Sequence, residues 1–209
     1  MGIVVLQGGG PFVSNDELDR SLLSPLDGPI AILPTAEAFE NPDVLKASAR
    51  AWAERLGLSI VICDVFTRAD AREEHHARAI STSAAVVLAG DSSIHLRSTL
   101  LNTAVWGAVS QQAESGVVVG VGNCAAALCD PMIDPRGGAF GLGLGLIHGV
   151  SVLAESEHTP PDQLQRTTHL ATLPFVEVPT GSALIVENGT WTSVGDVVVH
   201  GDLAIVNSR

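Results

Sequence analysis

Basic side chains are scarce in this sequence: 11 Lys and Arg stand against 23 Asp and Glu, a net charge of −12 over 209 residues. Affinity for nucleic acid rests on clustered positive charge, and so does attraction to an anionic bilayer, so neither is an expected partner. Cysteine is sparse too. Cys63, Cys124 and Cys129 form an odd set without C-x-x-C spacing, which argues against a disulfide framework or a zinc site and for a reducing compartment. No apolar run approaches the ~18 residues of a membrane span, and the opening MGIVVLQGGG lacks the charged start and long apolar stretch of a secretory signal, so a cytoplasmic location is expected. Tyrosine is absent, and no internal repeat or Ser/Gly/Pro-rich linker interrupts the chain.

What remains is small and aliphatic. Hydrophobic residues make up 46% and charged residues 16%, with 21 glycines, the composition of a folded chain and not of a disordered one. The simplest organisation is a single domain over residues 1–209, because a chain of this size buries roughly 70% of its unfolded surface without disulfides or metal.

Continuously apolar runs at 2–6, 29–34, 58–65, 84–88 and 116–121 read as strands covered on both faces. They alternate with helical stretches, and that rhythm predicts a three-layer α/β fold around a mostly parallel sheet. Residues 42–56 form the clearest helix, with Asn41 as N-cap, Pro42 at the first helical position and Leu45, Ala49, Trp52 and Leu56 on one face. Further helices are expected over 69–81 and 93–114. The C-terminal stretch is hairpin-rich, with Asn188-Gly189 as a type I′ turn signal, so the sheet should gain an antiparallel edge.

The glycine-rich stretch Gln7-Gly8-Gly9-Gly10 follows the first strand, where backbone can approach a ligand closely. Pro11-Phe12-Val13 supplies neither a dinucleotide fingerprint nor a phosphate-loop lysine, so no nucleotide cofactor is expected. His75 and His76 are adjacent in a charged helix, pointing about 100° apart, and no H-E-x-x-H spacing exists, so no metal site is expected. His95 follows Gly90-Asp91 near the carboxyl end of the fourth strand, where ligands bind in such folds. His158 stands in a loop between Glu155-Ser156-Glu157 and Thr159-Pro160; neighbouring glutamates raise an imidazole pKa, which suits acid/base work and equally an exposed loop.

The stretch 116–133, GVVVGVGNCAAALCDPMI, carries the chemical question. A strand that turns sharply into a helix through small residues is a nucleophile elbow, whose strained backbone lifts one side chain above the sheet. Two registers fit. In one, Cys124 is the nucleophile within Gly122-Asn123-Cys124-Ala125-Ala126. In the other the position falls on Gly122, which has no side chain.

Several segments, in order, resemble the serine peptidases that include cyanophycinase and dipeptidase E, a family sharing its fold with class I glutamine amidotransferases. Ile32-Leu33-Pro34-Thr35-Ala36 resembles the family's I-P-T-A strand end, and Leu88-Ala89-Gly90-Asp91 resembles its G-G-D-Q stretch. Met132-Ile133, Gly141-Leu142-Gly143-Leu144 and Thr180-Gly181-Ser182-Ala183-Leu184 are similar to its M-I, G-L-G-L and E-x-T-A-L segments. The resemblance implies a flavodoxin-like three-layer sandwich. In the family M-I begins ten residues after the serine, and counting back from Met132 reaches Gly122. By the same carry-over the acidic residue falls at Thr180, while His158 lies near the histidine position.

The resemblance therefore implies a homologue that has lost its peptidase chemistry, keeping a pocket around Gly9, Gly90, Asp91, Gly122, Asn123 and His158 for a small molecule or an aspartyl-containing peptide. Groups of a catalytic triad act as a unit, so an imidazole lacking both partners has little to do. In that register Cys124 lies about 200° from the elbow position and is a small buried hydrophobe. The alternatives are an active cysteine hydrolase or amidotransferase-like enzyme using Cys124 and His158, and a structural or regulatory homo-oligomer with a vestigial pocket.

Overall fold

A computed structural model describes residues 2–203. The chain runs through β1 (Ile3–Gln7), α1 (Asp16–Leu23), β2 (Ile30–Leu33), α2 (Pro42–Leu56), β3 (Ile60–Ile62), α3 (Glu74–Ser81), β4 (Ala85–Leu88), α4 (Ser93–Leu100), α5 (Ala104–Ser115), β5 (Val117–Val121) and α6 (Asn123–Leu128). Four two-residue strands follow: β6 (Cys129–Asp130), β7 (Met132–Ile133), β8 (Phe140–Gly141) and β9 (Ile147–His148). Then come β10 (Ser151–Ala154), α7 (Pro161–Leu170), β11 (Phe175–Val178), β12 (Ala183–Glu187), β13 (Thr190–Val194) and β14 (Val198–His200).

Seven strands form the main sheet in the order β13-β12-β1-β5-β4-β2-β3. β1, β5, β4, β2 and β3 are parallel, and β12 and β13 add the antiparallel edge expected from the hairpin signals. The parallel strands are almost wholly apolar because their side chains alternate between two covered faces, whereas the edge strand β13 is largely exposed. In β1, Val4 and Leu6 face one cluster and Val5 the other; in β4, Val86 and Leu88 oppose Ala85 and Val87. α1 and α2 cover the second face through Leu23, Leu45, Ala49, Trp52 and Leu56. The first face carries α3 to α6 and a smaller sheet, β10-β11-β14. These are the layers of a three-layer α/β sandwich.

Helix boundaries correct the sequence reading in two places. The 93–114 stretch is two helices, because Asn102 takes a left-handed φ of 58° and Thr103 caps α5 by accepting from the Trp106 amide at 3.3 Å. The 69–81 stretch is also divided: the Asp70 carboxylate accepts from the amides of Phe66 and Thr67 at 3.0 and 2.8 Å, Asp70–Arg72 forms a 3-10 turn, and Glu73 is extended before α3. Asn41 precedes α2 as expected, yet its side chain makes no capping hydrogen bond. Asn188 and Gly189 both have positive φ in the β12–β13 turn. Of the C-terminal apolar stretch, residues 204–206 lie outside the described residues.

One glycine sets how closely α6 approaches the sheet. A Cβ on Gly120 would come within 2.7 Å of Leu128 Cδ1 and 3.0 Å of the Ala125 Cα, so helix and strand meet at backbone distance. Gly120→Val is expected to lower stability by about 1–3 kcal/mol through overpacking, measured by denaturant unfolding of the variant against the parent.

Candidate functional site

The carboxyl ends of β1, β2, β4 and β5 converge with the end of β10. β1 leads into the loop of residues 8–14, and β5 ends in a turn with Gly122 at its tip, φ 61° and ψ −130°, before α6 begins at once. The Gly122 amide donates to the Gln7 carbonyl at 3.0 Å, and the Gly122 carbonyl accepts from the Ala125 amide at 2.9 Å. This positive φ is where a side chain is strained and glycine is not. A Cβ placed on Gly122 would have room: its nearest neighbours are Glu155 Oε1, the Gly8 carbonyl oxygen and the Gly9 Cα, each 3.9 Å away.

The side chain facing that niche is Glu155. It follows β10 directly, with a left-handed φ of 50°, and its amide donates to the Gly8 carbonyl at 2.8 Å. Its carboxylate lies flat against the glycine loop, since a Cβ on Gly9 would stand 2.5 Å from Glu155 Cγ and Oε1. Burial, then the charges of Asp91 and Glu157, push its pKa up, against the opposing pull of His158 and the Gly10 amide. Glu155 was read from sequence only as a neighbour of His158. The signal available was its position as the first residue after the apolar run 152–154.

His158 is placed differently from a triad base. Its side chain is 76% exposed, and its Nε2 lies 3.6 Å from Glu157 Oε1. It lines, with Asn123, Leu153, Ala154, Glu155 and Gln163, a cavity of about 130 Å³. Thr180 is exposed, and its amide donates to both Glu157 oxygens at 3.2 and 3.1 Å. Burial raises the Glu157 carboxyl, but hydrogen bonds from Thr180 and its own backbone, with the charge of His158, outweigh this and hold it below its ordinary value.

Cys124 is fully buried, and its thiol donates to the Gly90 carbonyl at 3.5 Å. Burial first, then Asp91 and Glu37, push the thiol far above the ordinary cysteine range. Burial likewise raises Cys129 to about 12 and Cys63 to about 11. Gly90, φ 123°, is required for close approach to the turn after β2: a Cβ there would meet the Glu37 amide nitrogen at 2.6 Å. Asp91 beside it is exposed. His95 is held by the Phe66 carbonyl at 2.9 Å and by Phe39, whose ring centroid is 4.6 Å away. The rings of His75 and His76 lie 3.9 Å apart, and no group of three or more metal-ligating side chains occurs among the described residues. A cavity of about 490 Å³ lies away from the turn, between the start of β1, α5 and the β12–β13 hairpin.

β5 ends in a sharp turn into a short helix, the backbone pattern of a nucleophile elbow, with glycine at its tip. Comparison with solved structures narrows this. A peptidase from an acI-B1 Actinobacterium superposes with a TM-score of 0.83 at 24% identity, covering 94% of this chain and 89% of that one. A protein described as peptidase E from Listeria monocytogenes EGD-e gives a TM-score of 0.68 at 16% identity, covering 96% and 98%. The chain therefore has a peptidase E-like fold, as the sequence resemblance implied. No family model matches the chain, and no curated protein matches it.

Two outcomes follow from this geometry. Gly122→Ala should lower stability by about 1–3 kcal/mol, because strain at φ 61° is added where contact is not; chemical denaturation measures it. In the native protein at neutral pH, iodoacetamide should label Cys63 before Cys124, since thiolate formation is least suppressed at Cys63; mass spectrometry of timed digests gives the order.

Proposed function

We propose that this protein is a peptidase E-like homologue that binds a small molecule or peptide in the cleft around Gly9, Gly90, Asp91, Gly122 and Asn123 without cutting it. The observation that carries this reading is the bare Cα at the tip of the turn, Gly122 at φ 61°. Covalent acyl transfer needs a hydroxyl or thiol at that point, with a base in reach to take its proton. Here the niche above Gly122 is met by the Glu155 carboxylate, while His158 faces solvent beside Glu157.

A cysteine hydrolase built on Cys124 is disfavoured on the same grounds. Its thiol is buried, engaged with the Gly90 carbonyl and pushed toward the neutral form, whereas nucleophilic thiols are partly exposed and acidified. Three free, buried cysteines fit the reducing, cytoplasmic setting expected from composition. No described helix is long and apolar enough to cross a membrane.

The test offers purified protein aspartyl dipeptides and a β-aspartyl-arginine polymer. The expected result is no released product together with a rise in unfolding temperature on adding a dipeptide, since a ligand that binds only the folded state stabilises it. Turnover that Cys124→Ala abolishes would overturn the reading in favour of the thiol enzyme, and turnover that survives Cys124→Ala would overturn it by showing chemistry independent of both elbow positions.

A further inference from the structure

Beneath the glycine loop lies a buried polar chain that the proposed binding reading does not use. Asp19, on α1, is 5% exposed. Its Oδ1 accepts from Gln7 Nε2 at 2.7 Å and its Oδ2 from Trp52 Nε1 at 3.0 Å; Gln7 Oε1 in turn accepts from Asn15 Nδ2 at 3.3 Å. Gln7 and Asn15 bracket the loop of residues 8–14, and the Gln7 carbonyl holds the Gly122 amide.

We propose that Asp19, Gln7 and Asn15 form a proton-triggered relay: when Asp19 takes up a proton, the direction of the Asp19–Gln7–Asn15 hydrogen bonds reverses and the glycine loop at the cleft shifts with it. The reversal follows from donor chemistry. An indole N–H only donates, so a proton on Oδ2 would find no acceptor at Trp52, whereas Gln7 can turn its own amide oxygen to a proton on Oδ1. Oδ1 then donates, and Gln7 must turn its amide over to present Oε1. Its Nε2 now faces Asn15, which must turn over as well to present its own oxygen. A half-turned chain would bury unpaired donors face to face, so the three amide and carboxyl groups change together.

Burial raises the Asp19 pKa to about 6, against the hydrogen bonds from Gln7 and Trp52, with the nearby charge of Asp16 adding to the rise. The change therefore falls near neutral pH. The charged groups around it are few. On α1, Asp16 is held below its ordinary value by the hydrogen bond from Arg55 and by Arg20, so it stays ionised through this range. On α2, Arg55 is committed to Asp16 at 2.6 and 2.8 Å and to the Phe12 carbonyl at 2.7 Å. β1 contributes no charge. Across the loop, Glu155 faces Gly9 and titrates in its own right.

The experiment is an NMR titration from pH 4.5 to 8 in full-length protein carrying Glu155→Gln, which removes the competing carboxylate. The side-chain amides of Gln7 and Asn15 and the backbone amides of residues 8–10 should shift with one midpoint near 6, shared with the Asp19 carboxyl carbon. Asp19→Asn puts an amide donor opposite Gln7 and an oxygen opposite Trp52, locking the acid direction: loop shifts at pH 8 should match those of the parent at pH 5 and no longer titrate. The relay is overturned if Asp19 titrates without Gln7, Asn15 and the loop, or if the loop titrates unchanged in Asp19→Asn. Should Asp19→Asn fail to fold, the Glu155→Gln titration alone decides between these outcomes.

Discussion

The hydrogen bond from the Gly122 amide to the Gln7 carbonyl ties the glycine loop to the elbow, and the cleft is built around it. It continues the parallel ladder of β1 and β5, in which Gln7 pairs with Val121. Both strands are central and covered on two faces, so neither end can drift without leaving buried backbone groups unpaired. The Gly8 carbonyl, one residue further, receives the Glu155 amide, and the Gly8 amide donates to the Ser182 carbonyl. Three chain segments distant in sequence thus meet at two consecutive residues. Their positions are set by backbone, which is why the cleft needs glycine at 8, where a Cβ would run into the Pro179 carbonyl.

That arrangement also fixes the electrostatics. With the backbone crowded at Gly8 and Gly9, the Glu155 side chain lies over the loop and against the niche above Gly122. Asp91 and Glu157 lie near enough to resist its ionisation. The carboxylates are there because their strands and turns end there, and no arginine or lysine closes the set with a hydrogen bond or ion pair among the described residues. Burial raises the buried thiol of Cys124 in the same direction, and Asp91 acts on it too, together with Glu37. Low dielectric and like charge together hold the Cys124 thiol in its neutral form.

Much of the layering was legible in the sequence because it depends on periodicity. The run 42–56 carries its own start, its stripe and the Gly57 stop, and α2 has those bounds. The five parallel strands and the antiparallel edge follow from apolar runs and turn pairs. What stayed hidden depends on single residues with local alternatives. Asn102 reads as a tolerable helix residue until its φ turns positive, and Glu155 reads as one more loop acid until its left-handed φ turns it inward. Asp19 lies among charged neighbours, with Asp16, Glu17 and Arg20 on the same helix, so nothing in the pattern separates the one buried carboxylate from the solvated ones. Its partners Gln7 and Trp52 lie 12 and 33 residues away in sequence, a proximity that only tertiary structure creates.

The elbow's persistence without a side chain to display bears on what such turns are for. A sharp strand-to-helix turn is strained for serine or cysteine, and an enzyme tolerates the strain because the chemistry requires the exposed atom. At Gly122 no side chain is displayed, and the turn has φ 61° and ψ −130°. The reason lies in its surroundings. α6 presses on Gly120 at backbone distance, and all of Cys124 to Leu128 is buried in the core. Relaxing the turn would pull that helix off the sheet and forfeit apolar burial that glycine at 122 retains without strain. The geometry of the turn is thus held by packing and does not depend on a side chain at its tip.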